Sequence, residues 1–158
     1  MDKKSKNNKW HGRFMNMAKL VSTWSKDPST QVGAVIVDSS NRVVSVGFNG
    51  LPRGIEDSEA RLLDRDVKLS LTIHAEENAL LFANQSLEGC SIYVTQQPCG
   101  PCSAKLIQKG IKAVYSVKPS GGFKERWSHH LKISEDTLKE AKVPLVFESK
   151  SWYTSNKR

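Results

Sequence analysis

Two short segments, His74-Ala75-Glu76 and Pro98-Cys99-Gly100-Pro101-Cys102, constrain this chain more than any other part of it. An imidazole and two thiols at C-x-x-C spacing are three of the four ligands of a tetrahedral zinc. A zinc with three protein ligands keeps its fourth position for water, which is the catalytic rather than the structural arrangement. His74 opens one helical stretch and Cys102 another, so the ligands converge if the two helix N-termini lie side by side. Exposed amides at such a terminus also favour thiolate over thiol. Taken alone, H-x-E is a weak signal, and a lone C-x-x-C suits a redox protein or half of a zinc ribbon. A ribbon needs a second ligand pair, and no other C-x-x-C occurs; a redox protein has no use for His74 and Glu76 at a separate helix start.

Glu76 has a task other than ligation. Zinc lowers the pKa of a bound water from about 15.7 toward about 7, so a nearby carboxylate can take its proton and pass it on. Attack on an amidine-like ring carbon then releases ammonia once Glu76 has protonated the leaving nitrogen. The order H-x-E … P-C-x-x-C with a non-ligand glutamate is the signature of zinc nucleobase deaminases.

A length of 158 residues, 38% hydrophobic and 25% charged, fits one ordinary globular domain. We read residues 1–9 as a basic, disordered tail, 10–150 as the catalytic domain and 151–158 as a C-terminal tail. No run approaches the ~18 apolar residues of a membrane span. The lysine-rich N-terminus lacks the apolar core of a signal peptide, so the sequence predicts a cytoplasmic protein with no membrane partner. Three cysteines, an odd number, fit metal binding in a reducing compartment better than disulfides. Cys90, in a strand-like run, reads as a plain buried residue. The net charge of +8 favours anionic partners, nucleotides or polynucleotides.

Apolar residues at 10, 14, 17, 18, 20, 21 and 24 predict a helix over 10–24. Strands follow at 32–37 and 43–48, joined by a polar turn. Residues 49–70 form a long irregular stretch with room for one short helix in 55–68, and loops of this length are often functional. A helix over 74–83, a strand over 91–95, a helix over 102–109 stopped by Gly110, and a strand over 111–117 come next. Residues 119–122 read as a loop, 134–142 as a helix, and 145–148 as a last strand. Alternation of helix and strand in the second half predicts parallel strands there, and the first hairpin is antiparallel. The expected architecture is α/β, a mixed five-stranded sheet with helices on both faces. Arg53, Arg61, Arg65 and Lys68 cluster in the long loop, where a guanidinium can hold phosphate bidentately.

At these residues the chain resembles the cytidine deaminase superfamily, and within it the deoxycytidylate (dCMP) deaminases. The resemblance covers about residues 10–148. It includes Asp27-Pro28-Ser29-Thr30-Gln31-Val32-Gly33-Ala34, the loop Gly47-Phe48-Asn49-Gly50-Leu51-Pro52-Arg53-Gly54, the match of His74 to Ala79 to H-A-E-x-N-A, and Ile107-Gln108-Lys109-Gly110-Ile111-Lys112. It implies a three-layer α/β/α cytidine-deaminase-like fold and conversion of dCMP to dUMP and ammonia. Zinc would be held by His74, Cys99 and Cys102, with Glu76 as proton shuttle. The substrate would meet Asn49, Ala75, Asn78 and Pro98, with Arg53 the first choice for phosphate. It further implies a homo-oligomer, commonly a hexamer, and dCTP (with Mg²⁺) and dTTP as candidate effectors.

One departure bears on that last point. Regulated members carry a D-K-Y-H-D-like segment where this chain has Val117 to Trp127. Lys124, Arg126, His129 and His130 remain a candidate anion site there. The alternative substrate is another cytosine species: cytidine, a modified dCMP, or a base in nucleic acid. The Asn49–Gly54 loop, and the lack of an aromatic stacking platform readable from sequence, argue for a small nucleotide.

Overall fold

The computed structural model describes residues 3–154. Five strands, β1 (Gly33–Val37), β2 (Val43–Phe48), β3 (Ser91–Val94), β4 (Ala113–Ser116) and β5 (Leu145–Phe147), form one sheet in the order β2-β1-β3-β4-β5. β1 runs antiparallel to both neighbours, whereas β3, β4 and β5 are mutually parallel, as the alternation of elements predicts. The helices are α1 (Lys3–Ser22), α2 (Glu59–Leu63), α3 (Arg65–Leu71), α4 (Ala75–Phe82), α5 (Gly100–Gln108), α6 (Gly121–Glu140) and α7 (Ser151–Thr154).

Because β1 is an interior strand covered on both sides, it is buried on both faces, and its period-2 alternation splits it between two cores. Ala34 and Ile36 join Ile92, Val94 and Val114 under α4, α5 and α6. Val35 and Val37 join Tyr93 on the opposite face, under Phe14, Met15, Ala18 and Val21 of α1. The layers are therefore helix, sheet, helix.

Three boundaries differ from the sequence reading. α1 starts at Lys3, so residues 3–9 extend the helix instead of forming a loose tail; Lys and Asn there include no helix breaker, and a helix once nucleated propagates. Residues 151–154 are not a tail either. Trp152 is buried against His11 and Tyr115 at ring distances of 5.1 and 6.1 Å. The third difference is α6, which begins at Gly121 rather than near Ser134. Phe123, Trp127, Leu131, Ser134 and Leu138 form one stripe at helical spacing, and the two opening glycines conceal its start. Met1, Asp2 and residues 155–158 of the two expected tails lie outside the described residues. The long stretch after β2 contains two short helices, capped by Ser58 and Asp64 side chains that accept from Arg61 N–H and Val67 N–H.

Two close approaches fix the site-bearing helices. A Cβ on Gly47 would strike the Ala75 carbonyl and the Ala79 amide, so α4 lies directly on the backbone of β2. Asn78 Nδ2 donates to the Phe48 carbonyl at 2.7 Å and Ser45 Oγ to that of Ala79 at 2.7 Å. α6 is joined to α5 by a buried Ser103–Ser134 hydroxyl pair at 2.8 Å, and Gln97 Nε2 donates to the Leu131 carbonyl at 3.1 Å.

Candidate active site

Both motifs sit at helix starts. His74 is the N-cap of α4 and Cys99 the N-cap of α5, and neither side chain caps its own helix. Cys102 occupies the first turn of α5. His74 Nδ1 lies 3.6 Å from Cys99 Sγ and 3.3 Å from Cys102 Sγ, and all three ligand atoms fall within 4.8 Å of one another. Tetrahedral zinc with Zn–N and Zn–S bonds of the usual length separates an N and an S ligand by about 3.6 Å, so the spacing fits.

Electrostatics prepare the thiols. Cys99 is held well below the ordinary thiol range by hydrogen bonding from Cys102 and from the His74 imidazole. Cys102 moves the other way, raised first by its hydrogen bond to Cys99 and by burial, and then by the negative charges of Glu76, Cys99 and Glu77 around it. The pair therefore shares one proton, and a divalent ion is what allows the second to leave. His74 is raised, chiefly by its hydrogen bond to Cys99.

Glu76 lies in the first turn of α4 and is buried. Burial pushes its carboxyl up to about 7. Glu77 Oε1 lies 3.8 Å from Cys102 Sγ and 3.0 Å from Lys105 Nζ.

A cavity of about 220 Å³ opens onto His74, Ala75, Glu76 and Cys99. Asn49 also lines it. Its buried carboxamide accepts from Val32 N–H at 2.8 Å and donates to the Thr30 carbonyl at 2.8 Å, leaving one N–H and one lone pair unused. Pro98 is fully buried beside Cys99 and does not line the cavity. Arg53 and Asn78 are also outside it. They line a separate groove with Phe48, Leu81 and Phe82, where the Arg53 guanidinium stands 5.2 Å from the Phe82 ring centre. Arg61 bonds the Glu56 carbonyl at 2.9 Å, and neither it nor Arg65 reaches the cavity.

Two cations the sequence offered, Lys68 and Arg126, stand in the walls of this cavity, together with Asp27, Gln97, Phe123 and Trp127, which the sequence reading did not place there. Asp27 and Lys68 line the cavity as an ion pair at 2.9 Å, with side chains 8% and 16% exposed. Gln97 lines it too, and its buried Oε1 has no hydrogen-bond partner. Phe123, Arg126 and Trp127 reach it from the start of α6. The four-residue anion cluster is thus split: Arg126 faces this cavity, whereas Lys124 lines a different groove with Lys118 and Lys132. The Phe123–Trp127 pair, with ring centres 6.1 Å apart, also supplies the aromatic surface that sequence did not show. The helical spacing of 123 and 127 was the available signal.

A site of this kind defines the class of zinc-dependent deaminases. Residues 8–118 match the cytidine and deoxycytidylate deaminase zinc-binding region, and the chain belongs to that family. It is 52% identical over 139 residues to an uncharacterized deaminase of Aliivibrio fischeri, covering 88% of this chain and 93% of that one. With the deoxycytidylate deaminase of Homo sapiens it shares 42% over 114 residues, covering 66% of this chain and 62% of the human protein's length. Among solved structures, the apo dCMP deaminase of cyanophage S-TIM5 is similar with a TM-score of 0.69 and 25% identity, over 87% of this chain and 96% of that one.

Proposed function

We propose that the protein hydrolyses dCMP to dUMP and ammonia, using zinc held by His74, Cys99 and Cys102. The observation that carries this reading is the convergence of those three ligand atoms next to a buried glutamate at the floor of a cavity. Similarity to relatives named deoxycytidylate deaminase supports dCMP as the substrate.

When bound, zinc supplies a Lewis acid that brings water close to ionisation at neutral pH. Glu76, poised near 7, takes a proton and returns it to the exocyclic nitrogen of the cytosine, which leaves as ammonia. The Ala75 amide belongs to the first turn of α4 and has no intrahelical partner, so it can donate to the pyrimidine carbonyl. The remaining N–H and lone pair of Asn49 serve the sugar. Pro98, fully buried and outside the cavity lining, makes no nucleotide contact in this reading. Arg53 and Asn78 are left out of the nucleotide contacts because they line another groove.

Further parts of the reading are a catalytic domain over 10–150, extended by α1 and α7, a cytoplasmic location, and a homo-oligomer, most simply a hexamer. No helix among the described residues is long and apolar enough to cross a membrane. Exposed Trp24, Phe48, Leu81 and Phe82 support self-association. Control by dCTP with Mg²⁺ or by dTTP belongs to the same reading. The alternative, another cytosine species including a base in nucleic acid, draws support from Phe123 and Trp127 at the cavity. A panel of dCMP, CMP, deoxycytidine, dCTP and a cytosine oligonucleotide, with and without dCTP–Mg²⁺ or dTTP, tests the substrate and the effectors. Ammonia released fastest from dCMP supports the proposal; none from dCMP refutes it.

A further inference from the structure

We infer that Arg126, on the outer half of α6, holds the 5′-phosphate of the mononucleotide at the mouth of the catalytic cavity. This rests on the reading that the substrate is a nucleotide.

Charge accounting within the cavity leads to Arg126. Its described lining contains two permanent cations, Lys68 and Arg126. Lys68 is committed: its ammonium pairs with Asp27 at 2.9 Å, and both side chains are largely buried. Asp27 is itself fixed, because Oδ1 accepts from Ser29 N–H at 2.8 Å and Thr30 N–H at 3.0 Å. Arg126 makes no ion pair or side-chain hydrogen bond among the described residues, so its five donors are available. Of the other cations the sequence offered, Arg53 and Lys124 face separate grooves, and Arg61 and Arg65 do not reach the cavity.

Position agrees with charge. The reacting base must reach Glu76, which is buried, whereas Arg126 is exposed. A nucleotide with its base at the floor has its phosphate at the mouth, where a dianion keeps part of its hydration. A planar guanidinium suits phosphate there because it binds two oxygens at once. Phe123 and Trp127 flank Arg126 on the same helix and give the intervening sugar an apolar wall.

The distance between phosphate site and metal site is held rigid. α6 is fixed to the cysteine-bearing α5 by the Ser103–Ser134 pair and to the Gln96–Cys99 turn by Gln97. Gly100 adds to this seam: a Cβ there would sit 3.2 Å from Ile133 Cγ2. Arg126 is thus carried at a set reach from His74 and Cys99 instead of on a free loop.

The test compares zinc-loaded wild type, Arg126→Ala and Arg126→Lys on dCMP and on deoxycytidine, with Arg53→Ala and Lys124→Ala as controls. Arg126→Ala should lower kcat/KM for dCMP by roughly 10- to 100-fold, chiefly through KM, since a charge-assisted pair is lost. Its effect on deoxycytidine, which has no phosphate, should be less than about 3-fold, given the factor-of-ten scale of one such pair. Arg126→Lys should recover part of the loss, and both controls should behave as wild type. An equal fall on both substrates, or an unchanged KM for dCMP, overturns the inference. A wild type that does not prefer dCMP over deoxycytidine, or that prefers the oligonucleotide, overturns the nucleotide reading first and this one with it. Arg126 is solvent-exposed on a helix, so an unchanged melting temperature will show that the variant folds.

Discussion

Burial raises the Glu76 carboxyl to about 7, the range in which a carboxyl can both accept and donate a proton near neutral pH. Gln has the same shape and cannot do either. Glu76→Gln is therefore expected to retain one zinc per chain by metal analysis while turnover falls by roughly 10²- to 10⁴-fold. A second prediction concerns Asp27. Lys68 and two backbone amides, working against burial, hold its carboxyl below the ordinary value. A carboxylate with a lowered folded pKa contributes stability that is present above its ordinary pKa and is lost as pH falls through the lowered one. Lys68→Met removes the cation and leaves the charge buried, which should cost about 3 kcal/mol at pH 7. Urea titration should show that cost shrinking as pH drops below about 4 and Asp27 takes up a proton.

At the scale of elements, the sheet was readable because its strands are short apolar runs bounded by polar turns, and the metal ligands were readable because each motif is local. Asn49 and Glu76, each in a local motif, both line the cavity. What sequence could not reveal depends on contacts between distant segments. Asp27 meets Lys68 only after the long loop folds back, an arrangement closed by the Gly50–Ile73 bridge. Trp152 is core because α7 docks on α1, and a four-residue helix has no periodicity to read. Arg53 looked like the phosphate ligand by neighbourhood alone, yet its side chain turns to Phe82. Gly47 gives the element-scale prediction. Gly47→Ala places a methyl group against the Ala75 carbonyl and the Ala79 amide, both backbone, so α4 must move and carry His74 and Glu76 with it. The expected result is a loss of about 1–3 kcal/mol in stability, as for overpacking, together with weaker zinc binding by competition with a chromophoric chelator.

The molecule as a whole couples its charge state to its metal. Without a cation, the two thiols keep one proton between them and the imidazole protonates at higher pH than an isolated histidine. Zinc must displace those protons, so its affinity should fall steadily from pH 7.5 to pH 5, as read by chelator competition. Chelation at neutral pH should abolish turnover and lower the melting temperature, and adding zinc back should restore both. A further consequence lies in the α5–α6 seam. The surfaces that choose a ligand and the atoms that transform it belong to neighbouring helices with a rigid joint between them. Residues 121–130 hold no metal ligand and contribute no fully buried side chain. That segment is a graft site: exchanging it can retune which nucleotide the scaffold accepts while the chemical machinery underneath is inherited intact.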